Sequence, residues 1–425
     1  MIFHLPKRLP NWGIPMLYSV SAVVGGVTLP RIEFHLLPGV LAGISPAAAL
    51  AVFSSIASGM MALTGVVFSL VFVMVQFSAV AYSPRLSLWV ARDRVIWHAL
   101  GMFTATFLYS LATMNWVDRH GSGKVPFFSG WLVTVLLVGS VFMFVALVDR
   151  ISMLQVHRML AFTGNQGRGV IEHLYPPLET PSTTAEPEEF QKLPVTQTVF
   201  HTGRPRTIQS LDEVELEALA ADVRGVVVVI SAVGDTVVVG TPLLRVYGGT
   251  KKLEDEAFTA AFTMGEERTF DQDPKYALRL LVDIAIKALS PAINDPTTAV
   301  QALDQIEDLL RRLGNRRLEI GAIYDDKGKL RVVTPHPSWE DFLHLAFDEI
   351  REYGARSIQV MRRMNALASD LIAALPEERR EPLEHYQERL EATIRRSFKY
   401  AEEKREASVA DRQGLGVPRK DEPDD

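Results

Sequence analysis

The sequence predicts an α-helical membrane domain of about four transmembrane helices, followed by a cytoplasmic α+β region with a small β module and a C-terminal helical pair. Three observations carry that reading. The first 150 residues hold four long runs without Asp, Glu, Lys or Arg. Formal charge is divided: residues 1–175 carry 11 basic and 5 acidic side chains, whereas the remainder is strongly acidic and brings the 425-residue chain to −6. Beyond residue 190, β-branched runs appear and then give way to helical spacing.

The charge-free runs are 9–30, 34–84, 95–117 and 125–148. Crossing a hydrocarbon core takes roughly 20 apolar residues as a helix. They predict spans near 14–30, 47–80, 95–117 and 127–148, with no charged residue inside any of them. The first is diluted by Pro15, Gly25 and Gly26, and a cleaved signal peptide is the alternative there. Basic residues set the orientation. One side receives Lys7, Arg8, Arg85, Arg92, Arg94, Arg150, Arg158 and Arg168, the other Arg31, Arg119 and Lys124. That bias predicts a multi-pass protein of the cytoplasmic (inner) membrane with both termini in the cytoplasm. The loop at 81–94 carries Arg85, Arg92 and Arg94, which suit anionic headgroups. His98 is expected at the interface.

The second span is longer than a bilayer core needs and carries a patterned set of small and polar residues. Ser54, Ser58, Ala62, Gly65, Ser69 and Gln76 recur at helical spacing, and Ser55, Gly59 and Thr64 widen the stripe. Small residues of this kind serve close helix packing. A water-exposed wall, the same face of several copies lining a pore, is the other reading. The pore-lining candidates are Ser54, Ser58, Gly65, Ser69 and Gln76.

The stretches SSIASGMMALTGVVFS at 54–69, QFS at 76–78, YSPRL at 82–86 and ALSPAINDPTTA at 288–299 resemble the bacterial predicted membrane proteins grouped as domain of unknown function 2254. The resemblance spans roughly residues 10–400. It implies N-terminal membrane helices and a C-terminal soluble region, and brings no functional residue with it.

After the membrane domain (1–150), a connecting helix and an acidic, Pro-rich linker fill 151–194. Residues 195–265 read as the β module. Segments 195–201 and 206–209 look like strands joined at Gly203, and 225–233 is a buried strand. The Gly234 to Leu244 segment resembles one hairpin of a biotinyl/lipoyl-like barrel sandwich. A carrier lysine would fall at Lys251 or Lys252, but helical spacing follows at once, so the module reads as structural. Residues 266–408 read as α/β and helical. Asp273-Pro274 and Asp295-Pro296 open helices, with Asp283 and Lys287 spaced as an i,i+4 pair. Ser338 to Asp341 has capping-box spacing. One helix to Leu375 and another from Pro376 to about Ser408 form the expected antiparallel pair, and 409–425 a disordered tail.

Chemistry is sparse. Cysteine is absent, which excludes thiol catalysis, thiolate metal sites and disulfides. Phosphate-loop, zinc-protease, nucleophile-elbow and dinucleotide motifs are missing. Arg268, Asp271 and Asp273 read as a solvated turn, and His336 and His344 as surface. No enzyme activity, catalytic residue, metal or cofactor is expected. Nucleic acid is disfavoured as a partner by the acidic second half. Asn294 and Asp295 are loop-binding candidates, with capping and turn formation as the plainer reading. The function the sequence suggests is a homo-oligomeric channel lined by the second span with a cytoplasmic collar. The alternative is a membrane-anchored scaffold or sensor whose cytoplasmic half binds a protein partner. The lipid bilayer is a partner in either case.

Overall fold

The computed structural model describes residues 12–36, 44–81, 94–119, 123–152, 156–179 and 187–416. Most of the 81–94 loop, the middle of the acidic linker and the last nine residues lie outside the described residues, as do Lys7 and Arg8. The chain forms two compact units, divided between Gln155 and Val156.

The first unit contains α1 (Gly13–Leu36), α2 (Pro46–Ala81), α3 (Arg94–Met114) and α4 (Phe127–Ser152). All four are long and apolar enough to cross a membrane. Among the described residues, α3 packs against each of the other three. One cluster joins Ala49, Phe53, Tyr109 and Val133, and a second joins Val67, Ile96, Phe103 and Leu147. Between α3 and α4, the Thr106 and Ser140 hydroxyls share a hydrogen bond of 2.8 Å. At the opposite half of α3, Tyr18 Oη and His98 Nδ1 meet at 3.3 Å.

The first span was expected to stop at residue 30, free of charge. Instead α1 runs through Pro30 and carries Arg31 and Glu33. The reason is tertiary. Glu33 is buried, and its carboxylate accepts from the Phe128 and Ser129 amides at 3.0 and 3.2 Å and from the Ser129 hydroxyl at 3.1 Å. It satisfies free N–H groups at the start of α4, where the helix dipole favours an anion.

The second unit opens with α5 (Val156–Leu174). The expected connecting helix is a core element of this unit: a Cβ at Gly167 would meet Ala277 and Leu309 at 2.9 Å, so only glycine allows this approach. The remaining elements are β1 (Val195–Phe200), β2 (Arg206–Leu211), α6 (Glu213–Asp222), β3 (Val226–Val229), β4 (Thr236–Val237), β5 (Pro242–Tyr247), α7 (Asp255–Ala260), β6 (Phe262–Gly265), α8 (Pro274–Ala288), α9 (Pro296–Gly314), β7 (Ala322–Tyr324), β8 (Leu330–Val333), α10 (Trp339–Tyr353), α11 (Ile358–Ala374), α12 (Arg380–Ser397) and α13 (Ala401–Ser408).

Among the described residues, the strands form two sheets, ordered β1-β5-β3-β8-β7 and β4-β2-β6. This revises the sequence reading twice. β1 and β2 do not pair with each other; β1 runs antiparallel to β5, and β2 to β4 and β6. The β module and the α/β region also share a sheet, because β3 and β8 pair in parallel at Val227–Val332. Side chains of Leu216, Leu244, Val246 and Phe258 fill the core between them.

The helices pack as a second layer system in which α8, α9 and α11 are all heavily buried. Leu280, Leu281 and Ile284 of α8 and Leu303, Ile306 and Leu310 of α9 are excluded from water. Asp273 and Asp295 cap these helices as read from the sequence, and Ser338 and Asp341 close a capping box on α10. Asp283 accepts from the neighbouring turn's Arg279 at 2.7 Å, and Arg279 also grips Glu349 of α10 at 2.6 and 2.8 Å. That bidentate bond holds the Glu349 carboxyl below its usual range.

The expected C-terminal helical pair is four helices. Gly354 ends α10, where a Cβ would collide with Val360 at 2.6 Å, and Ser357 caps α11. The ordered chain also continues past 408. Asn365 donates to the Ala407 and Ser408 carbonyls at 3.4 and 3.3 Å, and Arg362 to that of Gly416 at 3.1 Å. The expected tail from 409 is therefore strapped onto α11 as far as Gly416.

Candidate functional site

The α2 helix places every pore-lining candidate on one side. At about 100° per residue, Ser54, Ser58, Gly65, Ser69 and Gln76 fall within about 60° of one another. All five are exposed in the single chain, as are Ser55, Gly59 and Ala62. The helix uses another face for its own packing: Ala49, Phe53, Ala57, Met60 and Val67 are buried. Thr64 belongs near that packed face rather than with the stripe. It is half-buried and its hydroxyl bonds back to the Met60 carbonyl at 2.7 Å.

Two kinds of glycine separate the faces. A Cβ at Gly26 of α1 would meet Ala112 at 2.6 Å, and one at Gly101 of α3 would meet Tyr18 at 2.8 Å. Those glycines let helices of one chain approach closely. A Cβ at Gly59 or Gly65 would meet nothing within 4 Å. Gly59 and Gly65 thus serve no close approach among the described residues. Large apolar residues are exposed as well: Met61, Val66 and Phe68 flank the stripe, and Phe72 falls at the angle of Ser54 itself. Such side chains suit lipid; serine, glycine and glutamine in line do so poorly.

In the second unit, Asp295 is committed to the start of α9. It accepts from the Thr298 amide at 3.1 Å and the Thr298 hydroxyl at 2.6 Å. Asn294 adopts a left-handed backbone, φ 49°, which asparagine tolerates, and its side chain is exposed. Its amide closes the turn onto the Ser290 carbonyl at 2.8 Å. Asn294 also lines an open groove of about 680 Å³ with Tyr353, Arg356 and Arg396. The two loop candidates therefore differ: Asp295 shapes the loop, and Asn294 presents an amide to the groove.

Sequence reasoning passed over two buried ionic arrangements. Glu33 is one. The other is Asp273, expected in a solvated turn but 2% exposed. Arg268 holds its Oδ2 through Nε at 2.7 Å and Nη2 at 2.6 Å, and Oδ1 accepts from the Tyr276 amide at 3.1 Å. Burial pushes the Asp273 carboxyl above its usual range even with Arg268 beside it. The available signal was the cap itself, since an Asp before a helix-opening proline has its side chain turned inward over the first turn. Among the described residues, no group of three His, Cys, Asp or Glu side chains is arranged to hold a metal ion.

The sequence matches a family described as predicted membrane protein (DUF2254) over residues 9–369. It is 28% identical over 382 residues to uncharacterized proteins of Mycobacterium bovis and Mycobacterium tuberculosis, an alignment covering 85% of this chain and 70% of each relative. No solved structure matches it.

Proposed function

Because the chain belongs to the DUF2254 family of predicted membrane proteins, we propose that its four candidate spans assemble with those of other copies into a channel lined by α2. One observation carries the reading: the stripe from Ser54 to Gln76 is exposed in the single chain while α2 packs through a different face. A lipid-facing helix gains nothing from a row of hydroxyls, an amide and glycines. A helix facing an aqueous path, with a second copy close on either side, gains hydration and close approach. Hydroxyls and an amide without a fixed charge would pass small ions or solutes without strong charge selection.

In this reading the protein resides in the cytoplasmic membrane with both termini inside, supported by the bias of Lys and Arg towards one set of loops. The acidic second unit then forms a collar at the cytoplasmic mouth. Planar-bilayer recording of the purified full-length chain tests the proposal. Conductance that is abolished in Ser58→Leu and Gly65→Leu is the expected result. Silent wild-type protein, or conductance indifferent to both substitutions, overturns it. Native mass measurement supplies the second check, since a monomer has no α2-lined path.

A further inference from the structure

The second unit contains a cavity of about 160 Å³ that the channel reading does not use. It lies where the end of α5, the start of α6, the start of α8 and the β8–α10 connection converge. Its inner wall holds Tyr175, 2% exposed, and the ion-paired Asp273. Gly234, at φ 92°, closes the turn over that pair, and a Cβ there would run into Arg268 and into Asp273 Oδ2 at 2.7 Å.

The fold consumes the hydrogen-bonding capacity of some lining groups and leaves that of others. Asp273 is satisfied by Arg268 and the Tyr276 amide. Gln272 is satisfied at both ends by the Leu211 backbone, at 2.8 and 3.1 Å. Asp341 accepts from the Ser338 amide at 2.9 Å. Five lining side chains remain whose polar atoms have no hydrogen bond or ion pair among the described residues: the Tyr175 and Thr334 hydroxyls, the Lys275 ammonium, the Glu213 carboxylate and the His336 imidazole. The Tyr175 ring is buried, and its hydroxyl, unbonded by the protein, is left on the cavity wall for an occupant to bond. Lys275 is half-buried, and Glu213 and His336 stand exposed at the mouth. Lys275 and Glu213 carry opposite charge on one cavity and do not pair with each other.

We propose that this cavity binds a small zwitterion of the amino-acid class. Its carboxylate meets Lys275, its ammonium meets Glu213, and a polar group on its far end bonds the Tyr175 hydroxyl. Walls such as Leu211 and Ile320 limit the occupant to a short side chain. The inference is independent of the α2 stripe, so a failed channel experiment leaves it standing.

Isothermal titration calorimetry on the full-length chain in nanodiscs is the test, with glycine, L-serine and L-threonine as zwitterionic probes. Acetate and ethylammonium serve as probes of one charge alone. At least one zwitterion should bind, and neither single-charge probe should bind as tightly. Tyr175→Phe and Lys275→Met should each weaken that binding about tenfold, the cost of one lost polar contact. Glu213→Gln, a substitution at an exposed position, guards against loss through misfolding and should weaken it comparably. No binding of any zwitterion at millimolar concentration overturns the proposal. So does binding unchanged by Lys275→Met and Glu213→Gln, or acetate binding as tightly as serine.

Discussion

Glu33 and Ser129 stand 96 positions apart in the chain, yet one carboxylate oxygen of Glu33 takes both the amide and the hydroxyl of Ser129. The other oxygen takes the Phe128 amide. An acidic side chain at the end of one span thus closes the open start of another. Glu33→Ala should lower the stability of the membrane unit by about 1–3 kcal/mol, since it strands buried donors. Glu33→Gln keeps one carbonyl acceptor and should lose less. Thermal unfolding of the purified chain in detergent reads both, and an alanine variant as stable as wild type would contradict the cap.

Gly26 and Gly65 should respond oppositely to added bulk. Gly26→Ala places a methyl 2.6 Å from Ala112 and 3.3 Å from the Tyr109 carbonyl, so α1 and α3 must separate. A cost of about 1–3 kcal/mol follows from overpacking. A Cβ at Gly65 meets nothing within 4 Å among the described residues, so Gly65→Leu should leave the fold of each chain intact. Its effect should appear only in the mass of the assembled particle and in conductance. Equal loss of helical signal on heating for the two variants would mean that α2 packs within the chain through its small residues.

The contrast between these glycines shows what was legible in sequence. The stripe on α2 was readable because helical periodicity alone groups Ser54, Ser58, Gly65, Ser69 and Gln76. The ends of α3 and α4 were readable within a few residues because lipid excludes charge. Thr64 was misplaced because its angle on the helix falls with Phe53, Ala57 and Met60, not with Ser54 and Ser58. The end of α1 was missed because Pro30, Arg31 and Glu33 look like a loop until the amides of Phe128 and Ser129 are brought to them. Local chemistry was again legible in the second unit, where Asp273, Asp295 and Ser338 cap the helices they precede. The pairing of Val227 with Val332 was not, since nothing local in either strand names a partner more than 100 residues away. The unpartnered Tyr175 hydroxyl was invisible for the same reason.

Asp273 joins the cap of α8 to a buried ion pair, so its substitutions should rank by what each removes. Asp273→Ala loses the Arg268 contacts and the cap on Tyr276, and about 3 kcal/mol should go with them. Asp273→Asn retains an acceptor for the cap and loses the charge opposite Arg268, and should fall between alanine and wild type. Urea unfolding followed by tryptophan fluorescence gives the order. Asparagine and alanine variants of equal stability would show that the charge, not the cap, carries the effect.

Tyr386 supplies a prediction at alkaline pH. Its hydroxyl and His344 Nδ1 share a hydrogen bond of 2.6 Å, and its ring stacks on Phe347 with centroids 5.2 Å apart. Burial, reinforced by the nearby Asp348 charge, pushes its pKa up to about 12. An unfolded tyrosine loses its proton near ~10. Between those values the unfolded chain has released the proton that the folded chain still holds. Stability must therefore fall as pH rises through that window. Tyr175, pushed up by burial and by Asp273, adds to the same slope. Tyr386→Phe removes one of the two protons from the balance, so its stability should decline less steeply above pH 10. Chemical denaturation at stepped pH compares the slopes, and identical slopes for variant and wild type would show that the Tyr386 hydroxyl titrates alike in both states.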